Sequence, residues 1–191
     1  IIQGLLGWYM VKSGLVDNPH VSHFRLTLHL LLAFFLIGYI YWIIMSIKDN
    51  QYIGNRNQYY INFLLVLYTL QVIFGAFIAG TKAGRIWNTY PLIEGKLIPD
   101  GLFILKPIYI NFLNNMQMFQ FLHRWIAPIL LLYSVYFYYK SHKEDYNKNA
   151  LLLIIVFMIQ FYVGVMTLIF KVPVILGVLH QSIAIVLLLL I

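Results

Sequence analysis

Three histidines, His29, His123 and His180, lie inside long apolar stretches, where a titratable ring is costly unless it has a partner or a task. Each is followed four residues later by an alanine: Ala33, Ala127 and Ala184. Alanine occurs only seven times in the chain, and none of the other histidines, His20, His23 and His142, has one at that spacing. Positions i and i+4 share a helix face, so each alanine leaves a flat slot one turn from an imidazole. Such a slot suits a planar macrocycle, and imidazoles on its two sides suit its iron, so the pattern points to bis-histidine ligation of haem with His29, His123 and His180 as iron ligands. Zinc would want three or four close ligands, often with Cys or carboxylate among them, and none lies at these depths. A proton relay would use Asp or Glu within the membrane, whereas all six acidic residues fall in loops or at their edges. One buried histidine alone would read as a structural hydrogen bonder; three at matching positions argue for more. The ring nitrogen opposite the metal needs an acceptor, for which Gln120, Gln181 or a backbone carbonyl are candidates.

The elements that must position these residues are helices in a bilayer. Hydrophobic residues make up 62% of the 191-residue chain and charged residues 10%, against roughly 25% charged in ordinary soluble domains. The mean hydropathy is +0.81. Six apolar segments are predicted as helices, over roughly 1–16, 24–47, 59–80, 117–139, 150–170 and from 175 onward. The uninterrupted ones reach about twenty residues, enough to cross a bilayer, and helices satisfy their own backbone groups in lipid. The expectation is an all-α polytopic membrane protein with six transmembrane helices. The chain does not begin with Met and both its ends fall in apolar runs, as expected of part of a longer protein. It has no cysteine, which excludes disulfides, iron–sulfur clusters and thiol catalysis. The net charge of +7 is spread over loops and helix ends, which reads as membrane topology and lipid head-group contact, with no nucleic acid as partner. The polar loops 48–58 and 140–148 are short and rich in Lys and Arg, which places them in the cytoplasm and the long 81–116 loop outside. The prolines and glycines of that long loop predict an ordered cap on the bundle. His29, His123 and His180 then share a depth of about 7–10 Å below the outer face, at about 1.5 Å per residue.

A weak repeat organises the helices. Gln-x3-Gly occurs at Gln3–Gly7, Gln71–Gly75 and Gln160–Gly164, each time on the helix before a histidine-bearing one. The glycines allow close helix approach, and the glutamines suit hydrogen bonds between helices. Three copies of one hairpin follow, and a fourth, before residue 1, would complete the pattern. His123 and His180 then form one site in a four-helix bundle over 59–191, with 81–116 as its outer loop. Residues 1–58 are expected to be the remnant of a second, N-terminal bundle, in which His29 would face a ligand outside this sequence. Arg124 adjoins His123 and Arg25 lies one turn from His29. Both are candidates to pair with haem propionates, with snorkelling to lipid phosphate as the alternative for each.

The stretches "GWYMVKSGLVDNPHVSHFRLTLH", "QVIFGAFIAGTKAGRIWNTYPLIEGKLIP", "QFLHR" and "LHQ" resemble haem A synthase, the form found in mitochondria and related bacteria. The resemblance runs essentially end to end, with the motifs in order and spacing. It implies two pseudo-symmetric four-helix bundles, of which this chain carries helices three to eight. It also implies oxidation of the C8 methyl of haem O to a formyl group, giving haem A for cytochrome oxidase, by successive hydroxylations and loss of water. By the resemblance, His123 and His180, with Arg124 beside them, hold haem b, and His29 with Arg25 belongs to the substrate haem. The family's catalytic glutamate would lie upstream of Ile1, so the piece alone is expected to be inactive. Some relatives carry a cysteine pair in outer loops; the 81–116 loop has none. The expected setting is the bacterial inner membrane, ahead of the mitochondrial inner membrane, with the lipid bilayer, haem O synthase and cytochrome oxidase assembly proteins as partners, and a homo-oligomer is compatible with it. A reading of another class is a membrane di-haem b-type cytochrome that passes electrons without modifying a haem.

Overall fold

The computed structural model describes residues 1–12, 21–48, 58–141 and 148–191. It is helical throughout, with no strand among the described residues. The long elements are α1 (Ile2–Val11), α2 (His23–Lys48), α3 (Gln58–Thr81), α6 (Met116–Ser141), α7 (Lys148–Ile169) and α8 (Val174–Leu190). Two one-turn helices, α4 (Ala83–Ile86) and α5 (Asn111–Asn114), lie in the long loop. The six apolar segments are thus six helices. Four stretches, His23–Ile47, Gln58–Thr81, Met116–Lys140 and Leu151–Ile169, are long and apolar enough to cross a membrane. The remaining two are shorter, 17 residues in α8 and 10 in α1. Apolar side chains such as Phe35, Leu132, Ile155 and Tyr162 point outward; this suits a lipid surface, where outward apolar groups meet hydrocarbon.

Helices pack on their sequence neighbours: α1 on α2, α2 on α3, α3 on α6, α6 on α7 and α7 on α8, with α2 also touching α8. The core lies where α2, α3, α6, α7 and α8 converge, around Phe34, Leu64, Tyr68, Leu130, Leu153, Phe157 and Leu187. The Tyr68 hydroxyl donates to the Ala184 carbonyl at 2.6 Å, tying α3 to α8. A buried hydroxyl needs such a partner in a medium without water.

The 81–116 loop is an ordered cap, as its composition predicts. Asn111, fully buried, accepts from the Leu105 N–H and donates to the Leu105 and Ile108 carbonyls. Asn115 donates to the Gly101 and Leu102 carbonyls, while its Oδ1 accepts from the N–H groups of Gln117 and Met118. The last two bonds cap the N-terminus of α6. Ile93 and Leu102 of the loop are buried. The polar loops used to orient the chain lie largely outside the described residues, as do His20 and His142. His23, just before the segment predicted from residue 24, opens α2: its Nε2 lies 3.0 Å from the Leu113 carbonyl, and its ring packs against Phe24, Phe77 and Phe119.

Candidate functional site

The three intramembrane histidines lie six residues beyond His23, seven beyond Met116 and six beyond Val174, the first residues of α2, α6 and α8. Each thus sits at nearly the same register, six or seven residues into its helix. Each meets the Gln-x3-Gly element of the preceding long helix in the same pose. The glutamine amide nitrogen lies 3.4 Å from Nε2 for Gln3 and His29, 3.3 Å for Gln71 and His123, and 3.4 Å for Gln160 and His180. A Cβ built on the glycine would stand 3.1 Å from His29 Cε1 at Gly7, 2.9 Å from His123 Cε1 at Gly75 and 2.8 Å from His180 Cε1 at Gly164.

The spacing now has a specific reason. In an α-helix the carbonyl of residue i points along the axis toward residue i+4. With glycine at i+4, an imidazole from the next helix can settle against the backbone and reach that carbonyl. His123 does so, its Nδ1 lying 3.0 Å from the Gln71 carbonyl oxygen. A carbonyl only accepts, so Nδ1 carries the proton and Nε2 keeps its lone pair. That is the tautomer an Nε2 metal ligand needs. The Gln71 amide also donates to the His123 carbonyl at 3.0 Å, and the Gln3 amide to the His29 carbonyl at 3.1 Å. For His123, of the three candidate acceptors, the backbone carbonyl is the one used. Gln120 Oε1 instead accepts from Arg124.

His123 and His180 come together, with ring centroids 6.4 Å apart and ring planes at 68°. Two imidazoles bound head-on to one metal, each through a bond of about 2.0 Å to nitrogen, would place their ring centres roughly 6 Å apart. Both line a cavity of about 440 Å³ bounded also by Gln71, Gly75, Ala127, Gly164 and Ala184, within the range of ligand pockets. Ala127 and Ala184 thus form the predicted slot. Ala33 is not part of it, and His29 is not a lining residue. Instead Leu30 and Phe34 of α2 face the cavity while His29 meets α1. Several buried polar atoms around the three histidines have no hydrogen-bond partner: Oε1 of Gln3, Gln71 and Gln160, and Nδ1 of His29 and His180. Unpaired polar groups in such a place are expensive in a purely structural core. No cluster of three or more His, Cys, Asp or Glu suited to a bare metal ion occurs among the described residues. A pair of imidazoles over a slot fits a haem iron, which takes its other four ligands from the porphyrin.

The two arginines singled out by position are already engaged with protein. Arg124 is buried and donates from Nε to Gln120 Oε1 at 3.0 Å. Its Nη1 donates to the Thr89 and Leu92 carbonyls at 2.7 and 3.2 Å, and its Nη2 to the Trp87 carbonyl at 2.9 Å. Arg25 donates to the Tyr9 carbonyl at 3.0 Å, its guanidinium 3.7 Å from the centre of the Tyr9 ring. Sequence reasoning missed two cations that also line the cavity, Lys82 and Arg85. The signal for them was their place just beyond the end of α3, one helix turn apart.

The family model described as cytochrome oxidase assembly protein (COX15-CtaA) matches residues 1–191. Among curated relatives, a heme A synthase of Wolbachia pipientis wMel is 40% identical over 94% of this chain and 52% of its own length. A heme A synthase of Nitrosospira multiformis is 41% identical, over 95% of this chain and 54% of its own length. One of Flavobacterium psychrophilum is 42% identical, over 97% and 57% respectively. The chain therefore spans about half the length of the curated relatives it matches. No solved structure matches it. With its whole length matched, the chain belongs to the cytochrome oxidase assembly family COX15-CtaA.

Proposed function

We propose that this chain works in haem A formation as part of a haem A synthase, an oxidoreductase that converts the C8 methyl of haem O to a formyl group. The observation that carries the reading is the approach of His123 and His180 across the cavity, 6.4 Å between ring centres. In this reading, His123 and His180 hold the iron of a haem b from its two sides. The Gln71 carbonyl fixes the tautomer of His123, and Ala127 and Ala184 leave the macrocycle its slot. When bound, haem b supplies one-electron redox chemistry at that place. His29, seated against Gln3 and Gly7 with the same geometry, is the iron ligand offered to the substrate, haem O. Residues 59–191 then form the haem b half, and 1–58 belong to the substrate half. The α2 helix is the wall between them, with His29 against α1 and Leu30 and Phe34 against the cavity.

The setting proposed is the bacterial inner membrane, with both histidine sites toward its outer face. The reading implies working contact with a haem O synthase that supplies the substrate and with the assembly of cytochrome oxidase, which receives the product. Pigments extracted from cells that make haem O, with and without the full-length protein, test the activity. Haem A is expected only with the protein, and less of it with His29→Ala. A full-length protein that binds haem in cells rich in haem O yet yields no haem A would contradict the reading and favour a cytochrome that only passes electrons.

A further inference from the structure

We propose that Lys82 and Arg85 form a clamp for the two carboxylates of the ligand at the mouth of the His123–His180 cavity, with Arg124 acting instead as the staple of the loop beside it. The inference rests on the reading that this cavity takes a haem. Three cations line the cavity, Lys82, Arg85 and Arg124, and no Asp or Glu does. A wall with cations and no acid suits an anionic ligand edge. Arg124 cannot readily serve, because its donors go to Gln120 and to the carbonyls of Trp87, Thr89 and Leu92. Removing it from those carbonyls would strand them. Lys82 and Arg85 are different: both are exposed, and among the described residues neither side chain has a hydrogen bond or an ion pair.

The backbone presents the two residues as a unit. Lys82 has φ +57°, a left-handed conformation that ends α3 and starts α4 in a new direction. Arg85 follows three residues later, and both residues line the same cavity. The base of the turn is fixed, since Ala83 and Gly84 are buried. A Cβ on Gly84 would stand 3.0 Å from Val172 Cγ2, so the glycine lets α4 seat on the turn between α7 and α8. Lys82 lies seven residues beyond Gly75, about 10 Å along the helix direction. That places the cations outward of the imidazoles, and haem carries both its propionates on one edge. Paired cations at one rim match paired carboxylates at one edge.

The test is a titration of the detergent-solubilised full-length protein, stripped of pigment, with ferric protohaem and with its dimethyl ester, followed by the Soret band in zwitterionic micelles. Wild type is expected to prefer the free acid by tenfold or more, since the ester loses the charge-assisted hydrogen bonds its carboxylates would accept; tenfold corresponds to about 1.4 kcal/mol. The double variant K82Q/R85Q should lose that preference while binding the ester as wild type does, which also shows that it folds. If the variant keeps the free-acid preference, the clamp is wrong and these cations serve lipid phosphate instead. If the variant binds neither form, K82R/R85K decides: a retained preference supports the clamp and a lost one overturns it. Absence of a paired-imidazole spectrum in wild type itself would overturn the haem reading, and the clamp with it.

Discussion

A methyl group added at Gly164 would stand 2.8 Å from His180 Cε1, and one at Gly75 2.9 Å from His123 Cε1. Neither neighbour is the loose end of a long side chain, so the ring must move as a whole. Gly75→Ala and Gly164→Ala are each expected to cost about 1–3 kcal/mol by overpacking and to disturb the bound-haem spectrum. Gly4→Ala is the control, because nothing lies within 4 Å of its added Cβ. Thermal unfolding in detergent together with the Soret spectrum separates these outcomes. The histidines, the alanines at 127 and 184 and the Gln-x3-Gly repeat were all legible in the sequence, because spacing along one helix fixes which residues share a face. What each glycine is for was not legible. It depends on which group of the facing helix arrives there, and that is set by the register between helices. The same limit hid the Gln71 carbonyl as the acceptor for His123.

At the scale of elements, the long loop and the start of α6 behave as one piece. Arg124 reaches back 32 to 37 residues to hold the Leu92 and Trp87 carbonyls. Asn115 joins the loop to the α6 cap. Lysine cannot replace the fork of a guanidinium that serves several carbonyls at once. Arg124→Lys is therefore expected to speed hydrogen exchange over residues 87–92 while the protein still binds haem through two imidazoles; unchanged exchange there would remove Arg124 from the role of staple. Asn115→Ala should cost about 1 kcal/mol or more from the lost cap, read by thermal unfolding. That the loop would be ordered followed from its prolines and glycines. That Arg124 would be committed to it did not, since contacts so distant in sequence leave no local pattern, and proximity to His123 suggested propionate pairing instead. The boundaries of α2, α3, α6 and α7 and the start of α8 came within a few residues, because apolar runs end where polar loops begin, whereas α1 ends at Val11, short of the residue 16 predicted.

At the scale of the molecule, α2 links two environments. Its His29 meets Gln3 and Gly7 of α1, while Leu30 and Phe34 face the cavity shared by α3, α6, α7 and α8. Tyr68 and Ala184 both line that cavity, and the bond from the Tyr68 hydroxyl to the Ala184 carbonyl ties α3 to α8 there. Tyr68→Phe is expected to lower stability by about 0.6–1.7 kcal/mol, the range found for hydrogen bonds between membrane helices, without loss of the haem signal. The all-helical membrane fold was legible from composition and segment length alone. Chain orientation is a different matter, because it rests on charged loops that lie outside the described residues.

In the proposed reading, His123 and His180 share one iron. Near-infrared magnetic circular dichroism of the purified, haem-loaded protein tests it most directly, because the charge-transfer band reports the two axial ligands. Wild type and His29→Ala should both show paired-imidazole ligation at the cavity, and His123→Ala and His180→Ala should each lose it. An unchanged paired-imidazole band in both of the latter variants would contradict the account.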